Sequence, residues 1–228
     1  MFLSQRTTQA EYCDRTDLPV GEVRAVYQQL GRIHRLLHSA DAFQRPVARL
    51  LGEARSRKVS LLDLGAGDGT IGRSIESWAR GRGWDWRVVN LDANVTALGL
   101  HGRGLNVAGN VCALPFADES FDVVIASQMT HHLTDADVVR HFAEARRVTR
   151  DVLCIVDAHR NIGALWFISM LLRTLGFSPE FRSDAAMSVK RGWRVREWRG
   201  LAAKAGLVDA SVQLRFGARV ELLARKAR

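Results

Sequence analysis

Leu61-Leu62-Asp63-Leu64-Gly65-Ala66-Gly67-Asp68-Gly69-Thr70 decides how the rest of this 228-residue chain is read. The apolar run Val59-Ser60-Leu61-Leu62 leads into Asp63-Leu64, and glycines then stand at every second position, 65, 67 and 69. Beyond them Ile71, Ile75 and Trp78 recur at spacings of four and three. That order reads as a buried strand, a tight glycine turn and the start of a helix. Glycine serves where the backbone bends sharply or a ligand approaches with no Cβ in the way. The turn also directs free amide N–H groups at the crevice beyond the strand.

Two ligand classes use such a turn. Dinucleotides take G-x-G-x-x-G, whose third glycine lets helix and strand pack closely. Three residues after Gly67 stands Thr70, so that fingerprint fails. The spacing is G-x-G-x-G, with Asp63 two residues before the first glycine. It resembles the first motif of class I S-adenosylmethionine-dependent methyltransferases. The bland alternative is a glycine-rich strand–helix turn that holds no ligand.

The length suits one domain, large enough for a sheet covered on both faces. Hydrophobic residues make up 47% and charged residues 25%, ordinary globular values. Cys13, Cys112 and Cys154 form no C-x-x-C and no metal pattern. Reduced thiols in a cytoplasmic protein are expected. Residues 1–6 hold no signal-peptide core. The longest apolar run, residues 164–172, falls short of the roughly 20 residues a bilayer span needs. Net charge is +9, mostly arginine spread along the chain among acids, which argues against a nucleic-acid partner.

Residues 1–20 are polar without a clear period; Asp17 or Thr16 is the candidate cap for the first helix, with Pro19 near its first turn. Val23, Val26, Tyr27, Leu30, Ile33 and Leu37 then recur at three and four, an amphipathic helix. A second helix runs over about 41–54, with Phe43, Val47, Leu50 and Leu51 on one face. Residues 87–92 read as the second strand, and Asp92 stands at its C-terminal tip, roughly 20 residues past the glycines. A carboxylate there can accept from both hydroxyls of a ribose. Its structural alternative is a cap for the helix starting near Asn94.

Residues 105–108 form a short third strand, followed by Gly109-Asn110-Val111-Cys112-Ala113-Leu114-Pro115-Phe116 and then Ser120-Phe121-Asp122. This looks very like the Gly-Asp-Ala-x-x-Leu-Pro-Phe...Ser-Phe-Asp segment of small-molecule methyltransferases. In that family the acid after the glycine holds the adenine amino edge. Asn110 takes its place here and can still accept through its carbonyl oxygen. Val111 and Cys112 would flank the adenine plane, Cys112 as a small hydrophobe.

The fourth strand, 122–127, is a continuous apolar run, as a parallel strand covered on both faces requires. It ends in Gln128-Met129-Thr130-His131-His132-Leu133. Ligands of α/β sheets sit outside the carboxyl ends of the strands, so residues 127–132 should line the crevice. Asp135 and Asp137 start the next helix, and strand 152–156 carries Asp157, His159 and Arg160 at its tip. Residues 166–175 read as an apolar helix, either a substrate cover, a core helix or a dimer interface. Residues 177–191 are polar and read as a loop. A helix over 194–205 closes on Gly206, and strands 207–215 and 219–225 form a hairpin across 216–218.

The resemblance covers roughly residues 59–225, and its finer features are similar to methyltransferases of quinone and polyketide biosynthesis. It implies a Rossmann-like α/β fold over 57–228: a seven-stranded, mostly parallel sheet with an antiparallel last strand and helices on both faces, under an N-terminal helical cap, 1–56. It implies S-adenosylmethionine held by Asp63, Gly65, Ala66, Gly67, Asp68, Gly69, Asp92, Ala93, Asn110, Val111, Cys112 and Ser127, with S-adenosylhomocysteine as product. The acceptor would be a small aromatic, polyketide or quinone-like hydroxyl or carbon beside Met129, Asp157 and Arg160, with no metal. The sulfonium is already activated, so positioning and water exclusion carry most of the catalysis. A phenol or acidic C–H would also use a base, His132 or His131. Other readings are a nucleic-acid methyltransferase, a nicotinamide oxidoreductase and a non-catalytic protein keeping the fold. Amino methylation of bases goes with an Asn/Asp-Pro-Pro-aromatic turn after the fourth strand, where this chain has Ser127-Gln128-Met129-Thr130.

Overall fold

Apolar strand runs alternate with helical periods along the chain, and the fold obeys that alternation. The computed structural model describes residues 3–15, 17–52, 57–100, 104–215 and 219–226. Their seven strands are β1 (Lys58–Leu64), β2 (Asp85–Asp92), β3 (Leu105–Ala108), β4 (Phe121–Ser127), β5 (Thr149–Ala158), β6 (Ser211–Arg215) and β7 (Arg219–Arg225). They form one sheet in the order β3-β2-β1-β4-β5-β7-β6. β7 runs antiparallel to both neighbours, and the other pairings are parallel. The chain therefore winds outward from β1 in both directions, and the point where the strand order reverses, the usual ligand position of such sheets, falls at the carboxyl ends of β1 and β4.

The helices are α1 (Val20–Leu36), α2 (Asp41–Leu51), α3 (Thr70–Arg80), α4 (Val95–Gly99), α5 (Asp135–Val148), α6 (Ile162–Thr174), α7 (Pro179–Arg191) and α8 (Val195–Lys204). Alternation along β1 sends Val59 and Leu61 to one face, where α2 and α3 cover them with Phe43, Val47, Leu51, Ile71 and Ile75. Leu62 and Leu64 face the other way, against Val138 and Phe142 of α5 and Trp198 of α8. A third cluster joins Ile33 of α1, Leu172 of α6 and Phe181 of α7.

Local chemistry sets the helix starts. Thr134 accepts from the Asp137 N–H, Asn161 from Gly163 and Ala164, and Ser178 from Phe181. The expected loop over 177–191 is mostly helix α7. Pro179 occupies its first turn, and its buried face carries Asp184 and Arg191 beside Phe181 and Met187, so the amphipathic stripe is partly ionic. Of the cap residues read before α1, Thr16 lies outside the described residues, as does the hairpin turn 216–218; Pro19 precedes the first turn. No helix of the described residues is long and apolar enough to cross a membrane.

Candidate active site

The chain leaves β1 through three left-handed glycines, Gly65, Gly67 and Gly69, at φ 65°, 57° and 74°. Side chains other than glycine rarely adopt this region. The Gly65 and Ala66 N–H groups both donate to the Leu91 carbonyl, at 2.8 and 3.1 Å, tying the turn to the tip of β2. Asp92 completes the tie. Its Oδ2 accepts from the Gly67 N–H at 2.7 Å and its Oδ1 from the Asn94 N–H at 2.7 Å. The cap of α4 is Asn94 itself, which accepts from Ala97. The carboxylate of Asp92 thus faces the glycine turn, with exposed Ala93 beside it.

Asp68 turns the other way. Its carboxylate accepts from the Thr70 N–H and hydroxyl, at 3.0 and 2.9 Å, at the first residue of α3. Asp63 is buried inside β1, and its Oδ2 has no hydrogen-bond partner. Burial, with Asp92 adding to it, pushes its pKa up to about 8. Tyr27 of α1 lies against Gly67, and a Cβ there would overlap its ring. A Cβ on Gly65 would stand 2.7 Å from Cγ of Met129. Met129 follows Gln128, a left-handed residue at φ 54° whose N–H donates to the Val156 carbonyl. The side chains of Tyr27 and Met129 thus press directly on the turn, one from α1 and one from the exit of β4.

Along the neighbouring loop, Asn110 Oδ1 accepts from the Cys112 N–H at 2.8 Å. Val111 is buried in the core, and the Cys112 thiol donates to the Asp137 carbonyl. Ser127 closes β4.

His131 is 2% exposed. Its Nδ1 lies 2.6 Å from Asp157 Oδ1, its N–H donates to Asp157 Oδ2 at 2.8 Å, and its Nε2 faces Glu11 Oε1 at 3.4 Å. Burial opposes charge on the ring, but the Asp157 and Glu11 carboxylates outweigh it and raise the pKa to about 10. His132 Nδ1 lies 2.7 Å from Asp14 Oδ1. Burial works against the Asp14 charge, yet His132, a backbone N–H and Arg191 hold its carboxyl well below the usual range. Arg6 donates to the carbonyls of His131, Leu133 and Arg191 and stacks 3.6 Å over Trp193. Arg191 donates to the carbonyls of His131 and His132 and to Asp14.

The aperiodic opening segment, which gave no motif, is therefore a strap bolted across the two histidines. No sequence period marks it, because isolated charges rather than an apolar stripe fasten it. Arg160 is buried and committed elsewhere: to Glu197 at 2.6 Å, and to the Gly192 and Leu3 carbonyls. Ligand atoms of Glu11, His131 and His132 lie within 4.8 Å of one another. Arg191 Nη1 stands 3.8 Å from Glu11 Oε1 and 2.5 Å from Asp14 Oδ2. Guanidinium and imidazolium already supply the positive charge these carboxylates need, so the cluster reads as an ion network.

Residues 62–152 match the family model described as "Methyltransferase domain". A demethylmenaquinone methyltransferase of Roseiflexus sp. (strain RS-1) is 30% identical over 132 residues, 52% of this chain and 55% of that protein. The match thus spans about half the length of that relative. Human N-acetylserotonin methyltransferase, solved in complex with SAM, superposes over 97% of this chain and 64% of its own, with TM-score 0.63 at 14% identity. Magnesium protoporphyrin IX methyltransferase from Synechocystis PCC 6803, solved with bound SAH, superposes over 84% of each chain, with TM-score 0.54 at 14% identity. At these identities the likeness to solved structures is one of fold. Residues 62–152 are thus similar to a methyltransferase domain, in a chain whose fold is shared with methyltransferases of known structure.

Proposed function

We propose that this protein transfers the methyl group of S-adenosylmethionine to a small aromatic or quinone-like acceptor in the crevice beyond β1 and β4. The reading rests chiefly on the Asp92 carboxylate, drawn onto the Gly67 N–H at 2.7 Å. It sets a two-oxygen acceptor against a turn without side chains, as an adenosyl ribose requires, and each carboxylate oxygen keeps a lone pair beyond the N–H it already accepts from. The other residues fit that donor. Gly65 and Gly67 present no side chain to it. The orphaned buried oxygen of Asp63 can take a hydrogen bond from a bound group. Asn110, Val111 and Cys112 stand beyond β3, where the adenine edge would be met. The relative's name, demethylmenaquinone methyltransferase, favours a quinone-like acceptor.

The donor supplies an activated sulfonium methyl, leaving the chain to position, exclude water and handle a proton. Tyr27 and Met129 are the covers nearest the turn. His131 is the proton acceptor in this reading. Asp157 fixes its Nδ1 as the donor nitrogen and leaves Nε2 to take the proton. Glu11 stands 3.4 Å from that nitrogen; in this reading the resting Nε2 proton leaves with the displaced Glu11 carboxyl, and the acceptor hydroxyl takes its place on the neutral ring. Losing one of two flanking charges lowers the affinity of the ring for its proton, which brings it toward the neutral, basic form. His132, held by Asp14, is the second candidate. Arg160, with its donors committed, takes no part.

The test is incubation of the protein with deuteromethyl-labelled donor and a metabolite extract, followed by mass spectrometry. A labelled small molecule that forms only with active protein is expected. Label appearing only in RNA, or donor affinity no better than that for NADH, would overturn the reading.

A further inference from the structure

Helix α6 turns four large apolar side chains to solvent. Ile162 is 49% exposed, Trp166 73%, Phe167 56% and Met170 71%. Ile162, Trp166 and Met170 recur every four residues, which makes one stripe of them, and Phe167 widens it. The other exposed large apolar residues of the described chain fall one or two to an element. Exposed patches of this kind mark interaction sites. The stripe is no frayed segment. On its inner side Ile168, Leu171 and Leu172 pack with Leu30 and Ile33 of α1 and with Phe177 and Phe181, and Asn161 caps its start at Gly163 and Ala164.

Charge around the stripe indicates what covers it. Helix α6 holds no acid, and Arg173 is exposed in its last turn. Arg32 of α1 donates to the Leu175 carbonyl at 3.0 Å and stacks 4.8 Å over Phe177, beside the same end. Glu22 of α1 and Glu180, at the start of α7, are the exposed acids of these neighbouring elements. The chain as a whole carries +9. A second copy docking on this face would set like-charged rims together, whereas an anionic lipid surface complements them. At 13 residues α6 cannot span a bilayer, so it would lie in the plane of the interface.

We propose that α6 is a membrane-surface anchor. The Ile162–Trp166–Phe167–Met170 face sinks into the headgroup–acyl boundary of an anionic bilayer, and Arg173 and Arg32 contact lipid phosphates.

The test is flotation of this 228-residue chain with vesicles of phosphatidylcholine alone or mixed with phosphatidylglycerol, at low and high salt, without donor or acceptor. Binding to the anionic vesicles, weakened by salt, is expected. The Trp166→Glu/Met170→Glu double variant should bind about tenfold more weakly. Both sites are exposed, so its circular dichroism and melting should match wild type; Arg173→Gln serves as a second variant and should lower binding to anionic vesicles only. Absence of vesicle binding, equal binding of wild type and both variants, or a concentration-dependent dimer abolished by the double variant without vesicle binding would each overturn the proposal. Methyl transfer is not read in this assay, so its outcome is separate from that of the proposed reaction.

Discussion

Tyr27 rests on Gly67 so closely that the turn could not carry a side chain there. The first long helix is thereby seated directly over the glycine turn beyond β1. Two constraints act on Gly67, a left-handed backbone at φ 57° and the ring above it. Gly67→Ala should cost about 1–2 kcal/mol for the backbone conformation, with the overlap adding to it. Urea denaturation measures the cost, and calorimetry should show donor binding lost with it.

Asp92 joins the glycine turn to the tip of β2. Asp92→Ala removes the carboxylate that accepts from the Gly67 N–H and the proposed ribose contact together. Donor affinity should fall by about tenfold or more, as loss of a charge-assisted hydrogen bond implies. Calorimetry with S-adenosylmethionine reads this directly, and unchanged affinity would remove the ribose assignment.

His131 sits between two buried carboxylates, so His131→Asn leaves Asp157 and Glu11 short of their shared counter-charge. The expected loss is about 3–5 kcal/mol of stability, typical of breaking a buried pair. Its pH dependence has a definite sign. The folded pKa, about 10, lies above the ordinary 6.5. The contribution of His131 is therefore complete below the ordinary value and drains away as pH rises through the folded one. Thermal melts should show the gap between wild type and variant narrowing steadily over that window.

Glu11 guards Nε2 of His131. Glu11→Gln removes one of the two charges that hold the proton there, so the folded pKa of His131 should drop. The acid limb of the kcat/KM profile should move to lower pH by about one unit or more, with donor affinity unchanged. His132→Ala should reduce turnover less than loss of His131 does; the reverse ranking would make His132 the base.

Much of this fold was legible in the sequence, for physical reasons that differ by region. The apolar runs at 59–64 and 122–127 are short and flanked by turn signals, which reads as strands buried on both faces, and three alternating glycines read as a bend. Asp92 was legible because its distance from that bend is set by one strand–helix–strand unit. The strap was not, since Arg6, Glu11 and Asp14 are isolated charges whose partners lie far along the chain. Helix α7 was hidden for a related reason: Asp184 and Arg191 point inward, so its sequence looks polar although its buried face is full. Ser178-Pro179 was the available signal, a cap followed by proline in the first turn. Tyr27 was visible as one of a helical stripe, but periodicity does not say which member of a stripe meets a glycine.

The strap also dictates when this region can come together. Arg6 bonds to the Arg191 carbonyl across 185 positions of chain and to the His131 carbonyl across 125. Contacts of such separation are the slowest to close, because the entropy of the intervening loop is lost before they stabilise anything. On a ribosome, the sheet can pair through β5 while Glu11 and Arg6 wait for α7 to emerge. The ion network around the two histidines is then among the last parts of the molecule to assemble, and an intermediate lacking it would keep His131 open to water.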